Sequence, residues 1–269
     1  MQCLVAYGAV KAAGFLNSPV LDSVTHKEVR PEDIEVEAGE NKALIVKEGT
    51  AAESVDKVKV AVVGASSTTG LMIVDMLVSR YTYGNINYNL ATNIGLNLYR
   101  GISVIGVCSA SSASTVLSNG AAAVLDRTQG GLASRPPGLS LDVVIDCVGG
   151  QEIEDVARAA LGHRGHFVTI MGPGDGAFGD GGDGAKAQMA QGMKIAGRSL
   201  KGMFSGTKYT QAAMPITGGP RIIEQMMNEG LKSVVDSEVE MLDAEAMIAA
   251  VEKVNSHKTR GRLVFVNNA

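Results

Sequence analysis

Gly64 and Gly70 bracket the turn GASSTTG, and the stretch around it, VKVAVVGASSTTGLMIVDML (58–77), runs an apolar segment through that turn into a helical pattern. A turn of this kind presents backbone N–H groups at a helix N-terminus, where the helix dipole favours an anion, and its glycines let the backbone come close to a phosphate. Two readings of the spacing stand side by side. In one, Gly64, Ser66, Ser67, Thr68 and Gly70 cradle a phosphate, with the two central hydroxyls as extra donors. In the other, Gly64 and Gly70 only permit a tight strand-to-helix turn, and the β-carbons of Ser67 and Thr68 occupy the space phosphates need.

Other candidates fall at the ends of later apolar runs. CSASSAS (108–114) places Cys108 at 108 − 70 = 38 positions past Gly70, with Ser109 directly after it. An Asp or Glu there would chelate ribose hydroxyls; none is present, and Ser109, Ser111 and Ser112 are suited instead to a phosphate carried on the ribose. If a dinucleotide binds, NADP(H) is therefore favoured over NAD. DCVGG (146–150) contributes Cys147, Val148 and Gly149, and the next run ends in Met171 and Gly172. A plainer reading makes Asp146 a helix cap and Gly149–Gly150 an ordinary turn. His163 and His166 lie three apart at a helix end, an arrangement better suited to surface histidines than to a metal pair. Asp175, Asp180 and Asp183 lack calcium-loop spacing, since Lys186 stands where the twelfth-position Glu is needed. Cys3, Cys108 and Cys147 are scattered and odd in number, which implies neither a disulfide framework nor a metal site.

The elements that must position these residues alternate. VKVAVVGA, ISVIGVCSA, AAVLD, LDVVIDCVGG and GHFVTIMG read as buried strands, separated by helices in GLMIVDMLVSR, ASTVLS (with Gly120 as its C-cap) and EIEDVARAAL (closed by Gly162). GPRIIEQMMNEGL and DAEAMIAAVEKVNSH read as later helices, SEVEML and RLVFVN as strands. Strands alternating with helices predict a doubly wound α/β fold, a Rossmann-like parallel sheet with right-handed crossovers. Before it, residues 1–57 form a small, partly β appendage, with MQCLVAYG as a strand and IEVEAGENKALIVKEG as a hairpin around Gly39 to Asn41; RPEDIE and TAAESVDK read as connectors. The expected division is 1–57, then 58–230, then a strand–helix–strand at 231–269 that returns to the N-terminal segment.

VAVVGASSTTG, VIGVCS, NGAAAVLD, LDVVIDCVGG, GHFVTIMG and HKTRGRLVFV, in this order over about residues 58–269, resemble the medium-chain dehydrogenases/reductases. The zinc-free quinone oxidoreductase branch is most similar, and within it the mitochondrial reticulon-4-interacting subgroup, on GMKIAGRSLKGMFSGTKY and the helices after it. The resemblance implies NADPH, a quinone or enone acceptor, no metal and no strong acid or base, so that no catalytic side chain is named. It also implies that DCVGG and Met171–Gly172 line the ribose and nicotinamide, and that a GroES-like catalytic domain precedes the turn. Here 57 residues precede Val58, and the family's central glycine pair is Ser67–Thr68. These departures imply the second functional class, a catalytically silent accessory subunit of an organellar complex that retains the fold.

A net charge of −4 lacks the basic footprint of a nucleic-acid binder. No apolar run is long enough to cross a bilayer, although peripheral association with a membrane complex stays open. The segment 81–101 carries four of the six tyrosines, Tyr81, Tyr83, Tyr88 and Tyr99. Tyrosine is enriched where proteins meet, which makes the segment a candidate partner contact; a plain surface excursion is the other reading. No organelle transit peptide is legible around Lys11, Lys27 and Arg30. A mitochondrial location is implied by the resemblance, with plastid and cytoplasm open.

Overall fold

The structure is a computed structural model, which describes residues 2–15, 36–38, 43–47, 58–81, 102–171, 197, 206–212, 219–228, 235–241, 243–256, 259 and 261–266. Strands β1 (Val36–Ala38), β2 (Leu44–Lys47), β3 (Val58–Val63), β4 (Ile102–Cys108), β5 (Ala123–Asp126), β6 (Leu141–Asp146), β7 (Leu161–Thr169) and β8 (Lys208–Gln211) form one sheet in the order β1-β2-β5-β4-β3-β6-β7-β8. All pairs from β5 to β8 are parallel, and β1 and β2 add an antiparallel hairpin at the β5 edge. The six parallel strands, counted from β3, follow the 3-2-1-4-5-6 order of the doubly wound dinucleotide-binding fold. The order reverses between β3 and β6, and the carboxyl ends of these two strands are where such a sheet leaves a crevice.

Helices cover both faces. On one lie α1 (Gln2–Ala12), α2 (Thr68–Tyr81) and α3 (Ala113–Ser118), packed over Val60, Val62, Val104, Val143 and Ile145. On the other, α4 (Gln151–Ala160) and the turn 131–134 cover Ala61, Ile105, Val144 and Phe167. The strands are therefore buried on both sides, which explains their unbroken apolar runs. Helix α5 (Gly219–Asn228) touches α1. A separate parallel pair, β9 (Val235–Glu240) and β10 (Arg262–Val266), is bridged by α6 (Ala244–Asn255), which starts at Asp243, whose carboxylate accepts the Ala246 N–H.

Several expectations are corrected. The segment expected as the strand MQCLVAYG is helical from Gln2: Ala6, Ala9, Val10 and Ala13 are buried at i, i+3, i+4 and i+7, and the small alanine side chains let α1 lie against α2. Packing against α1 also explains why α2 buries Met72, Ile73 and Met76; of the helically spaced Leu71, Val74, Leu77 and Val78, the first three are buried and Val78 is partly buried. Gly162 does not close α4, because Leu161 is already extended and begins β7; a β-carbon at Gly162 would stand 2.5 Å from Ser140 Oγ. Gly120 follows the α3 cap Asn119 at φ +101, one position beyond the cap itself. His166 is 2% exposed rather than on the surface. The expected connectors 30–35 and 50–57, the 82–101 part of the tyrosine segment and the glycine loop 172–184 lie outside the described residues.

Candidate site at the carboxyl edge of the sheet

The turn after β3 is held from three sides. The N–H groups of Gly64 and Ala65 both donate to the Val107 carbonyl, at 3.0 and 3.2 Å, and the Cys147 N–H donates to the Val63 carbonyl at 3.1 Å. GASSTTG thus lies between the ends of β4 and β6, at the reversal of strand order. Gly64 has φ +76, and a β-carbon there would meet Val148 Cγ2 at 2.8 Å. At Gly70 a β-carbon would stand 2.2 Å from the Gly64 carbonyl oxygen, so glycine is what lets α2 start this close to its own turn.

Ser67 caps the helix: its Oγ accepts the Gly70 N–H at 3.0 Å, while the Leu71 N–H reaches the Ser67 carbonyl at 2.8 Å. The Thr68 hydroxyl donates to the Gly261 carbonyl at 2.8 Å, which ties the β9–α6–β10 unit to the start of α2. The two central hydroxyls therefore already have structural work. The N–H groups of Ser66, Thr68 and Thr69 have no acceptor among the described residues. Three donors at a helix N-terminus can take an anion. Arg262, next to Gly261, is exposed and its Nη2 donates to Gln2 Oε1 at 3.3 Å.

At the end of β4, Cys108 turns its side chain into the core, 1% exposed, so what it offers to the edge is backbone. Ser109 Oγ lies 3.1 Å from Ser111 Oγ and 3.2 Å from Ser112 Oγ, a cluster of three hydroxyls. Asp126, opposite Cys108 in the β4–β5 register, fixes that loop: its Oδ1 accepts the Ala110 N–H at 3.2 Å, and the carboxylate also holds the N–H and hydroxyl of Thr128. Sequence reasoning missed this residue, although a strand ending in Asp with Thr two positions on is an Asx-turn signal.

The wall formed by β6 and β7 rests on Asp146. It does not cap α4, whose N-cap is Gly150 without a side-chain bond. Its Oδ1 accepts the N–H groups of Val148 (2.9 Å) and Gly149 (3.0 Å), and its Oδ2 accepts the Thr169 hydroxyl at 3.0 Å. Burial is the largest influence on Asp146 and raises its pKa, opposed by these three donors and reinforced by the Glu154 charge. Cys147, half-buried beside it, has its thiol pushed up by burial and then by the Asp146 charge. A β-carbon on Gly149 would lie 2.8 Å from Met171 Cβ, so the two wall segments touch. Thr169 was the second residue missed; a hydroxyl inside the apolar strand FVTI was its signal. Gly64, Ser66, Ser67, Thr68, Gly70, Cys147, Val148, Gly149 and Met171 share one edge with Ser109, while Gly172 lies outside the described residues.

The family model for zinc-binding dehydrogenases matches residues 119–265, 147 of the 269 residues and so more than half the chain. The chain belongs to the zinc-binding dehydrogenase family. In three dimensions this zinc-binding dehydrogenase domain is similar to the alcohol dehydrogenase of Aeropyrum pernix, with a TM-score of 0.55, 15% identity and coverage of 98% of this chain and 55% of that one. It is also similar to CurA of Vibrio vulnificus, solved with NADPH, with a TM-score of 0.51, 14% identity and coverage of 100% and 63%. The quinone oxidoreductase of Coxiella burnetii gives a TM-score of 0.47 at 16% identity, covering 78% and 53%. The chain spans about half the length of the solved structures it matches. No curated protein matches the sequence. Zinc, which the family description implies, has no group of three or more His, Cys, Asp or Glu to hold it among the described residues.

Proposed function

We propose that the chain binds NADP(H) along the carboxyl edge of its sheet and serves as the cofactor-binding half of an oxidoreductase of the quinone or enone reductase type. The observation that carries this reading is the set of N–H groups of Ser66, Thr68 and Thr69, without acceptors among the described residues, at the start of α2 beside the reversal of strand order. They would hold the pyrophosphate, with glycine at 64 and 70 keeping the turn tight. The Ser109–Ser111–Ser112 hydroxyls would take the 2′-phosphate. Among the described residues the one acidic side chain bonded to that loop, Asp126, is already engaged by Thr128 and Ala110, so it is not open to an NAD ribose there. When bound, the nicotinamide supplies the hydride that reduces the acceptor. This chain's residues bind and orient; no described side chain is placed as a proton donor.

The resemblance to the mitochondrial reticulon-4-interacting subgroup, and a mitochondrial location with it, belongs to this proposal. A second reading, an accessory subunit without catalysis, is favoured by the β9–α6–β10 unit, where Ile248, Val251 and Val254 on α6, and Val235, Met241 and Phe265, are large apolar side chains left exposed among the described residues. Peripheral contact with a membrane complex and a contact through 81–101 are parts of that reading. Thermal unfolding with NADPH, NADH or neither, each at about 1 mM, tests the first reading. A ligand at 100 times its Kd stabilises by about 2.7 kcal/mol. A rise with NADPH and little with NADH supports the proposal. No rise with either cofactor sinks it and leaves the accessory reading.

A further inference from the structure

We infer that Asp146 and Thr169 are a positioning pair that sets the cofactor wall on the far side of the phosphate turn. This rests on the NADP(H) reading above. A dinucleotide held at the reversal of strand order has its halves on opposite sides of it. With the adenosine half over β4 and β5, where the serine hydroxyls lie, the other half runs over the ends of β6 and β7. That wall is two short backbone segments, 147–150 and 170–171. Cys147 and Ile170 still bond back to the sheet, through the Val63 and Asp146 carbonyls, whereas Val148, Gly149 and Met171 lie past the ladder and are held by one shared set of bonds. Asp146 Oδ1 fixes Val148 and Gly149 at 2.9 and 3.0 Å, and Asp146 Oδ2 takes the Thr169 hydroxyl at 3.0 Å. The same hydroxyl oxygen accepts the Met171 N–H at 3.1 Å and lies 3.1 Å from the Met171 carbonyl. Both residues are nearly fully buried, Asp146 at 1% and Thr169 at 4% exposure, so neither reaches a ligand itself. Gly149 and Gly150 adopt φ of +85 and +103, which glycine reaches without steric cost, and because glycine has the most backbone freedom to lose, the segment depends on outside bonds to keep one conformation. Without the pair, Met171 and Gly149 lose their common anchor, and the β-carbon of Met171 no longer has a fixed distance from the turn.

The test separates the two halves of the ligand. Binding of NADPH and of adenosine 2′,5′-bisphosphate, which carries only the adenosine half, is measured by calorimetry for the wild type, Thr169→Val and Thr169→Ser. Loss of a buried hydroxyl with two partners predicts NADPH binding weakened by about tenfold in Thr169→Val. Bisphosphate binding stays as in the wild type, and Thr169→Ser restores NADPH. Asp146→Asn, which keeps one acceptor oxygen, takes the place of Thr169→Val if that variant does not fold, with the same expected pattern. Equal weakening of both ligands means general damage and overturns the proposal, as does unchanged NADPH binding. A wild type that binds the bisphosphate but gains nothing from the rest of NADPH also overturns it, while leaving the phosphate turn intact. A wild type that binds neither ligand fails the NADP(H) reading itself, and the positioning role falls with it.

Discussion

Acid should destabilise this fold through His166. The imidazole is buried between the end of α1 and strand β8, with Nε2 2.9 Å from Thr210 Oγ1. Burial, then the positive charge of Lys208, brings its pKa down from 6.5 to about 4; a hydrogen bond with the Ala13 backbone pulls weakly the other way. The histidine is neutral in the fold and takes up a proton on unfolding, so its contribution is present above about pH 6.5 and is lost as pH falls toward 4. Between pH 8 and pH 5, with 6.5 for the unfolded chain and about 4 for the folded one, the linkage comes to about 2 kcal/mol. Asp146 works in the opposite direction, because a raised pKa means that folding favours its proton. The comparison is therefore made between two chains that share it. Urea unfolding of the wild type and His166→Gln at pH 8 and pH 5 should show the stability gap between them shrinking, or reversing, by about 2 kcal/mol in acid. Parallel pH curves for the two chains, or a His166 ring that titrates near its ordinary value by NMR, would refute the argument.

Two further outcomes follow from the site's packing. Gly70→Ala places a β-carbon 2.2 Å from the Gly64 oxygen, so backbone must move; a loss of about 2 kcal/mol or more in chemical denaturation is expected, and a neutral effect would contradict the close approach. With its thiol held well above the usual range, Cys147 should react with iodoacetamide at pH 8 at least about tenfold more slowly in the native chain than in the unfolded one, read by peptide mass spectrometry. Equal rates would mean an open, ordinary thiol.

The sheet was legible because its strands are covered on both faces: VAVV, VIGV and VVID have no polar alternation to confuse with another element. The glycine turn was legible from Gly64 and Gly70 alone. The first helix was misread because MQCLVAYG mixes Leu4, Val5 and Tyr7 with the small residues that do the packing, and alanine carries little periodic signal. What the hydroxyls of Ser67 and Thr68 do could not be read either. One caps its own helix and the other bonds a carbonyl 193 residues away, a contact that only the folded chain defines. Asp126 and Thr169 escaped for the same reason, since each makes a bond across to the neighbouring strand or the loop that follows it.

The central claim is that the backbone donors at the start of α2, which have no acceptor among the described residues, hold a dinucleotide phosphate. Thr68→Pro removes one of them while keeping a residue suited to the first helical position, and Thr68→Val keeps the N–H while losing only the hydroxyl bonded to Gly261. Calorimetric titration of NADPH into the wild type and both variants tests the claim most directly. The account predicts one-site binding to the wild type, retained in Thr68→Val and weakened about tenfold in Thr68→Pro. Absence of binding to the wild type, or equal affinity in Thr68→Pro, would contradict it.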